Sequence, residues 1–254
     1  MITLLYKYLN RLLNLKNYLK KDQYAIDTIV KDHRDYTIDT MAWTIVDAKN
    51  MFNDLPDIFI LNDERFQHQW NSNDCVAYSC ANAINTELWY KADKETYYEW
   101  VVLANSMRDS GTMFPNWAYV EDWPKEALDL KWIDRYYQVD TLFDIMNAIY
   151  RYTNPVCTWT NKIKWFDIRD TWLVTTVSSG AWHAVNIVGW DKTKVIWKYT
   201  WALVLENSYW NEYQDGWYFW IPFDLQNKIL FNTKKAIYVK PQWSKDREIL
   251  NSNK

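Results

Sequence analysis

An α+β fold in two lobes is predicted by three features of the chain. Apolar residues recur at helical spacing through the first half, Pro155 marks a change of texture, and β-branched and aromatic runs fill the second half. A helical first half followed by a stranded second half suggests α+β in two lobes. The elements follow in chain order. Residues 2–21 place Leu5, Tyr8, Leu9, Leu12 and Leu19 near one helical face among Lys and Arg. This predicts an amphipathic helix packed on the body. A membrane-surface helix is the weaker reading, and an inhibitory or targeting extension is a third. Residues 22–60 show no clear period and lead to Leu55-Pro56-Asp57.

At Asn71 the pattern changes. Asn, Ser and Asp precede Val76, Ser79, Cys80, Ala83 and Ile84 at helical spacing, so a capped helix is predicted from Asp74 to Tyr90. Lys94–Met107 is a second helix, Ser110-Gly111-Thr112 a turn, and Val139–Thr153 a further helix ended by Pro155. Strands are predicted in VCTWT, WLVTTV, HAVNIVGW, TWALVLENS, WYFWIPF and KAIYVK. The organisation expected is an N-terminal segment over 1–54, a body over 55–245 and a tail over 246–254. Within the body, a helical lobe spans 60–154 and a β lobe 155–245.

Composition narrows the class. With 49% hydrophobic and 24% charged residues, the chain is neither disordered nor collagen-like. Its 254 residues suit one large domain or two lobes. A net charge of −3 supplies no basic excess for a nucleic-acid partner. No apolar run reaches the roughly 18 residues of a membrane span. Lys7 and Arg11 interrupt the apolar N-terminus, unlike a secretory signal. The three cysteines, Cys75, Cys80 and Cys157, form no disulfide framework and fit a reducing compartment. A cytoplasmic monomer without metal or cofactor is expected.

Four residue types in order carry the chemistry. Cys75 stands in the first turn of the predicted helix, where partial positive charge and unpaired N–H groups favour a thiolate. Cys80 and Cys157 read as buried packing residues. Gln69, six positions before Cys75, offers a side-chain amide that could hold an oxyanion together with the cysteine N–H. Of the three histidines, His33 and His68 lie in polar surroundings, whereas His183 opens an apolar strand. Asn207 follows another apolar strand, and its carboxamide can orient an imidazole.

The order Gln, Cys, His, Asn is that of a known family. QHQWNSNDCVAYS resembles the papain-like cysteine protease motif, in which Gln-Gly leads through a short loop to Ser-Cys-Trp-Ala-Phe-Ser. HAVNIVGWD resembles the family's His-Ala-Val-x-x-Val-Gly-Tyr strand. ALVLENSYWNEYQDGWYFWIP resembles its Lys-Asn-Ser-Trp-Gly block. The resemblance covers about residues 55–240. The resemblance implies a papain-like two-lobe fold, with a helical lobe carrying the nucleophile helix, a β-barrel-like lobe and a cleft between them. It implies Cys75 as nucleophile, His183 as base, Asn207 as orienting residue, Gln69 in the oxyanion hole and Tyr209 as aromatic cover. It also sets Ser110 and Gly111 near the loop that contacts the backbone of a polypeptide substrate. A catalytically inactive binding module on the same fold and a Cys-His acyl transferase are the alternatives.

The chain departs from the pattern in several places. Val76 replaces the family's Trp, and Ser72 stands where a disulfide cysteine is common. The His183–Asn207 interval is long, which predicts an extended hairpin around Asp191–Tyr199. Other departures share one residue type. Trp70 and Trp210 stand where the family has Gly, Trp217 lies beside Gly216, and Trp182 precedes the histidine at a position suited to a small residue. The chain holds 18 Trp and 4 Gly, whereas average usage gives about 18 Gly in this length. Many of these tryptophans are therefore expected to stand for glycines, their UGA codons translated with the wrong table. Asn116-Trp117, Asp122-Trp123-Pro124 and Lys131-Trp132 fit as turns, whereas Trp190 and Trp220 read as true tryptophans. Rings at the glycine positions are expected to crowd turns and to collide beside the cysteine and histidine.

Overall fold

A computed structural model describes residues 36–37, 55–62, 67, 72–90, 96–114, 117–118, 122–139, 142–164, 168, 171–180, 182–208, 218–230 and 236–241. The expected N-terminal helix, the tail, His33, His68, Gln69, Trp70, Tyr209, Trp210, Gly216 and Trp217 lie outside them.

Helix α1, Cys75–Tyr90, is the predicted helix begun one residue later. Asp74 supplies the carbonyl that accepts from Tyr78 N–H at 3.0 Å, and its own N–H donates to Ser72 Oγ at 3.4 Å. Every residue from Cys75 to Leu88 is buried, so this helix runs through the interior rather than over it. Its polar residues therefore need internal partners. Asn85 exchanges hydrogen bonds with the backbone of Tyr98, its Nδ2 donating at 2.9 Å and its Oδ1 accepting at 2.8 Å. Buried Gln67 also donates to the Tyr98 carbonyl, at 2.7 Å. Asn154 Nδ2 donates to Glu87 Oε2.

Helix α2, Trp100–Asp109, begins later than predicted, because Thr96–Glu99 are not helical. It ends at Ser110 and Gly111, whose φ of +76° closes the predicted turn. Helix α3, Trp123–Asp129, was not predicted. Helices α1, α2 and α3 share one apolar cluster built on Val76, Ile84, Leu103, Met107, Trp123 and Ala127. Helix α4, Leu142–Tyr152, lies within the predicted range and buries Ile145, Met146 and Ile149 in the other cluster, against the sheet.

Ten strands are described. They are β1 (Tyr36–Thr37), β2 (Ile58–Ile60), β3 (Met113–Phe114), β4 (Trp117–Ala118), β5 (Ile133–Val139), β6 (Val156–Thr160), β7 (His183–Ile196), β8 (Tyr199–Glu206), β9 (Tyr218–Pro222) and β10 (Ala236–Pro241). The main sheet runs β1-β5-β10-β6-β7-β8-β9, with β2 on β7, and β3 and β4 form a separate pair. Among the described strands only β1 and β5 pair in parallel, and the other strand pairs are antiparallel. The extended hairpin is present, since β7 and β8 stay paired out to Ile196 and Tyr199. A short helix α5, Phe223–Ile229, follows β9.

The predicted strand over WLVTTV does not form. Leu173 makes one isolated bridge to Trp220. Trp172 has a φ of 56° and cannot continue an extended ladder. Strand β5 was missed, although its Tyr136 and Tyr137 suit a pleated surface.

Gly189 brings β2 against β7. A Cβ there would lie 2.1 Å from the Phe59 carbonyl oxygen, and no side-chain rotation relieves a backbone clash. Gly189→Ala is expected to destabilise the fold by about 2 kcal/mol. The check is a lower urea midpoint, whereas Gly111→Ala, with no atom within 4 Å of the added Cβ, meets only the strain of its φ.

Candidate active site

Cys75 opens α1, His183 opens β7 and Asn207 directly follows β8. The antiparallel pairing of β7 with β8 returns the chain to His183, 24 residues before Asn207. Asn207 Oδ1 lies 2.8 Å from His183 Nε2. An amide oxygen only accepts, so Nε2 carries the proton and Nδ1 is the basic nitrogen. Ser208 Oγ also approaches Nε2, at 3.4 Å. Cys75 meets the histidine strand through the Ala184 N–H, which donates to Sγ at 3.4 Å. The structure thus gathers Cys75, His183 and Asn207 where α1 meets the sheet.

The electrostatics differ from the thiolate expected at the helix N-terminus. Burial pushes the Cys75 thiol up to about 11. Hydrogen bonds from the Ala184, Val76 and Cys75 backbone pull it down, and the neighbouring Asp74 charge adds to the rise. Burial likewise takes His183 down to about 4, against the upward pull of its Asn207 bond. The helix N-terminus is present, yet desolvation outweighs it. Burial therefore favours the neutral thiol at Cys75 and the neutral imidazole at His183. Cys80 and Cys157 are fully buried, as packing residues should be, and burial pushes both thiols up.

Asp74 is held by Arg108 of α2, with Nη2 at 2.5 Å from Oδ1. The same helix ends at Ser110, so its C-terminus is tied to the residue before Cys75. Ser110 Oγ donates to Glu126 Oε2 at 2.9 Å and to the Met107 carbonyl at 3.2 Å.

Trp182 departs from expectation. It does not collide with His183: its indole is 55% exposed and meets Trp159 edge-on at 6.0 Å.

Sequence reasoning passed over one constellation. Asn186 of β7 and Glu206 of β8 are cross-strand partners; Asn186 lies three residues after His183, and Glu206 directly precedes Asn207. Asn186 Nδ2 donates to Glu206 Oε2 at 3.0 Å and to the Ser79 carbonyl of α1 at 2.8 Å. Ser79 Oγ returns a bond to the Ala184 carbonyl at 3.0 Å. The polar Asn186 inside the apolar run HAVNIVGW, level with Glu206, was the available signal.

No family model and no curated protein matches the chain. Among solved structures, xylellain, a cysteine protease from Xylella fastidiosa, is similar with a TM-score of 0.59 at 15% identity. That match covers 85% of this chain and 94% of xylellain. The bromelain protease from Ananas comosus, solved in complex with the E64 inhibitor, is similar with a TM-score of 0.57 at 13% identity. There the match covers 74% of this chain and 100% of that one. No group of three His, Cys, Asp or Glu able to hold a metal occurs among the described residues. No described helix is long and apolar enough to cross a membrane. Mixed helices and antiparallel strands, a cysteine opening the central helix and these neighbours at low identity together give the chain a papain-like α+β fold.

Proposed function

We propose that the chain is a cysteine peptidase of the papain-like family C1, working through Cys75, His183 and Asn207. The carrying observation is the 2.8 Å Asn207–His183 bond on the strand whose Ala184 N–H reaches Cys75 Sγ at 3.4 Å. In this reading His183 Nδ1 takes the thiol proton as Sγ attacks the scissile carbonyl. Proton transfer accompanying attack suits a pair that rests neutral. Gln69 and the Cys75 N–H hold the oxyanion. The C–N bond breaks as His183 returns the proton to the leaving amine, and water, activated by His183, then releases the acyl group. Asn207 keeps the imidazole plane fixed, and Tyr209 covers that bond. Ser110 and Gly111 meet the substrate backbone. The working chain carries glycine at Trp70 and Trp210.

One observation favours a second reading, a non-catalytic module on the same fold. Cys75 is 7% exposed and His183 fully buried, which suits a closed site. Alkylation by iodoacetamide separates the two. The peptidase reading expects modification at Cys75 with parallel loss of peptide hydrolysis. Hydrolysis that survives complete Cys75 modification overturns it.

A further inference from the structure

Among the described residues, five non-glycines have positive φ: Lys131, Thr153, Trp172, Trp197 and Trp201. A bulky residue in this region is an outlier, because the left-handed backbone brings Cβ against the following carbonyl. Lys131 and Thr153 follow helices α3 and α4. The tryptophans occupy three different glycine settings.

Trp197 and Lys198 form the two-residue loop between the paired Ile196 and Tyr199. Trp197 has a φ of 53°, and Lys198 is not left-handed. Positive φ at the first central position alone is the pattern of a type II′ turn, which takes glycine there. Trp201 has a φ of 69° inside β8. It sits between Thr200, paired with Val195, and Ala202, paired with Asp191, so one residue faces the three of 192–194. Such a bend in a strand interior is a glycine position. Trp172, with a φ of 56°, sends its N–H back to the Ile168 carbonyl at 2.6 Å. That closes a helical turn in the left-handed conformation used by C-terminal glycines.

The rings of Trp197 and Trp201 meet the hairpin surface, whereas Trp172 packs against the core of the sheet, so its case rests on its backbone alone. Trp197 is 73% exposed, meets Tyr199 edge-on at 6.5 Å and lies 4.9 Å from Lys198 Nζ, and Trp201 meets Phe223 edge-on at 5.7 Å and lies 6.0 Å from Lys192 Nζ. Trp190 is the opposite case. It is fully buried, its Nε1 donates to the Pro56 carbonyl at 2.9 Å, and it packs on Phe59 at 5.4 Å.

We infer that the tryptophans divide by backbone conformation: positions 172, 197 and 201 are glycine in the natural protein, read from UGA, and Trp190 is a true tryptophan. This partition is independent of the peptidase reading. Sequencing the gene and mapping the tryptic peptides of the natural protein by mass tests it. UGA with glycine masses at 172, 197 and 201, and UGG with a tryptophan mass at 190, is the expected result. UGG at 172, 197 and 201 overturns it. A physical test runs beside this on purified variants in urea. Trp197→Gly and Trp201→Gly each raise the folded-to-unfolded ratio about tenfold, whereas Trp190→Gly lowers it. A fall in both hairpin variants overturns the conformational argument.

A different observation carries a second proposal, which rests on the peptidase reading. Asn186 joins Glu206 to the Ser79 carbonyl, and all three residues are buried. These bonds link the strand of His183, the strand leading to Asn207 and the helix of Cys75. We propose that Asn186 and Glu206 are positioning residues that set the separation of thiol and imidazole. Glu206→Ala is expected to lower kcat by about 100-fold with KM nearly unchanged. Glu206→Gln, which keeps an acceptor for Asn186, restores most of kcat, and Asn186→Ser serves if Glu206→Ala does not fold. Unchanged kcat in Glu206→Ala, or equal losses in the Ala and Gln variants, overturns the role. If the parent chain hydrolyses no peptide, the peptidase reading fails instead. The positioning role is then read from the iodoacetamide rate at Cys75, which changes in Glu206→Ala and returns in Glu206→Gln.

Discussion

Replacing Cys75 with Ala is expected to lower peptide hydrolysis by about ten-thousand-fold or more. Acyl transfer to sulfur is the step that splits a difficult displacement into two easier ones, and no neighbouring group takes over. Cys80 and Cys157 are fully buried, so neither thiol substitutes. His183→Ala is expected to cost nearly as much, because the resting thiol is neutral and needs its base. The double variant should then be little worse than either single one, since the two groups act as a unit. The measurement is single-turnover hydrolysis of a fluorogenic peptide by the chain made with glycine wherever the gene carries UGA. Additive losses would show that His183 does not act through Cys75.

Acid should weaken the fold through His183. Its folded value is lowered from 6.5 to about 4 by burial. Between those values the unfolded chain binds a proton that the folded chain refuses, so stability falls as pH falls. The contribution is intact above 6.5, is lost on the way down to about 4, and declines no further below that. The group is fully buried, so solvent screening gives no discount. The loss between pH 7 and pH 4 is about 3 kcal/mol. Urea unfolding at both pH values, in the parent chain and in His183→Gln, isolates it. The parent should lose about 3 kcal/mol more than the variant. Equal losses would place the acid sensitivity elsewhere. Cys75 acts at the other end. Its raised value makes the unfolded chain lose its proton first, so stability falls as pH rises from 9 towards about 11.

The elements legible in the sequence were those whose pattern is local. Asp74 and Ser72 before an apolar 3.6-residue period marked α1, and the continuous run HAVNIVGW marked a strand buried on both faces. The bond between His183 and Asn207 could be expected because one hairpin joins their strands. What was not legible depends on distant partners. Strand β5 forms because β10 pairs along it from Val139 to Ile133, a contact spanning about a hundred residues. Val139 was assigned to a helix, yet it ends that strand. The neutral thiol and imidazole follow from burial, and burial is a property of the whole fold. Asn186 within an apolar run was visible as an anomaly, but its partners, Glu206 and Ser79, appear only when sheet and helix meet.

The burial of α1 from Cys75 to Leu88 has a kinetic consequence. Amides enclosed over that stretch, short of the exposed Tyr90 at the helix end, meet solvent when the fold opens, so hydrogen exchange there tracks opening of the whole molecule. Cys75 lies on the segment last to open, while the tip of the β7–β8 hairpin, with Trp197 largely exposed, lies on one that can open alone. Damage at the hairpin is therefore a local event. Loss of register at Cys75 coincides with loss of the fold, so any reactivity of that thiol that needs its register lasts as long as the folded state.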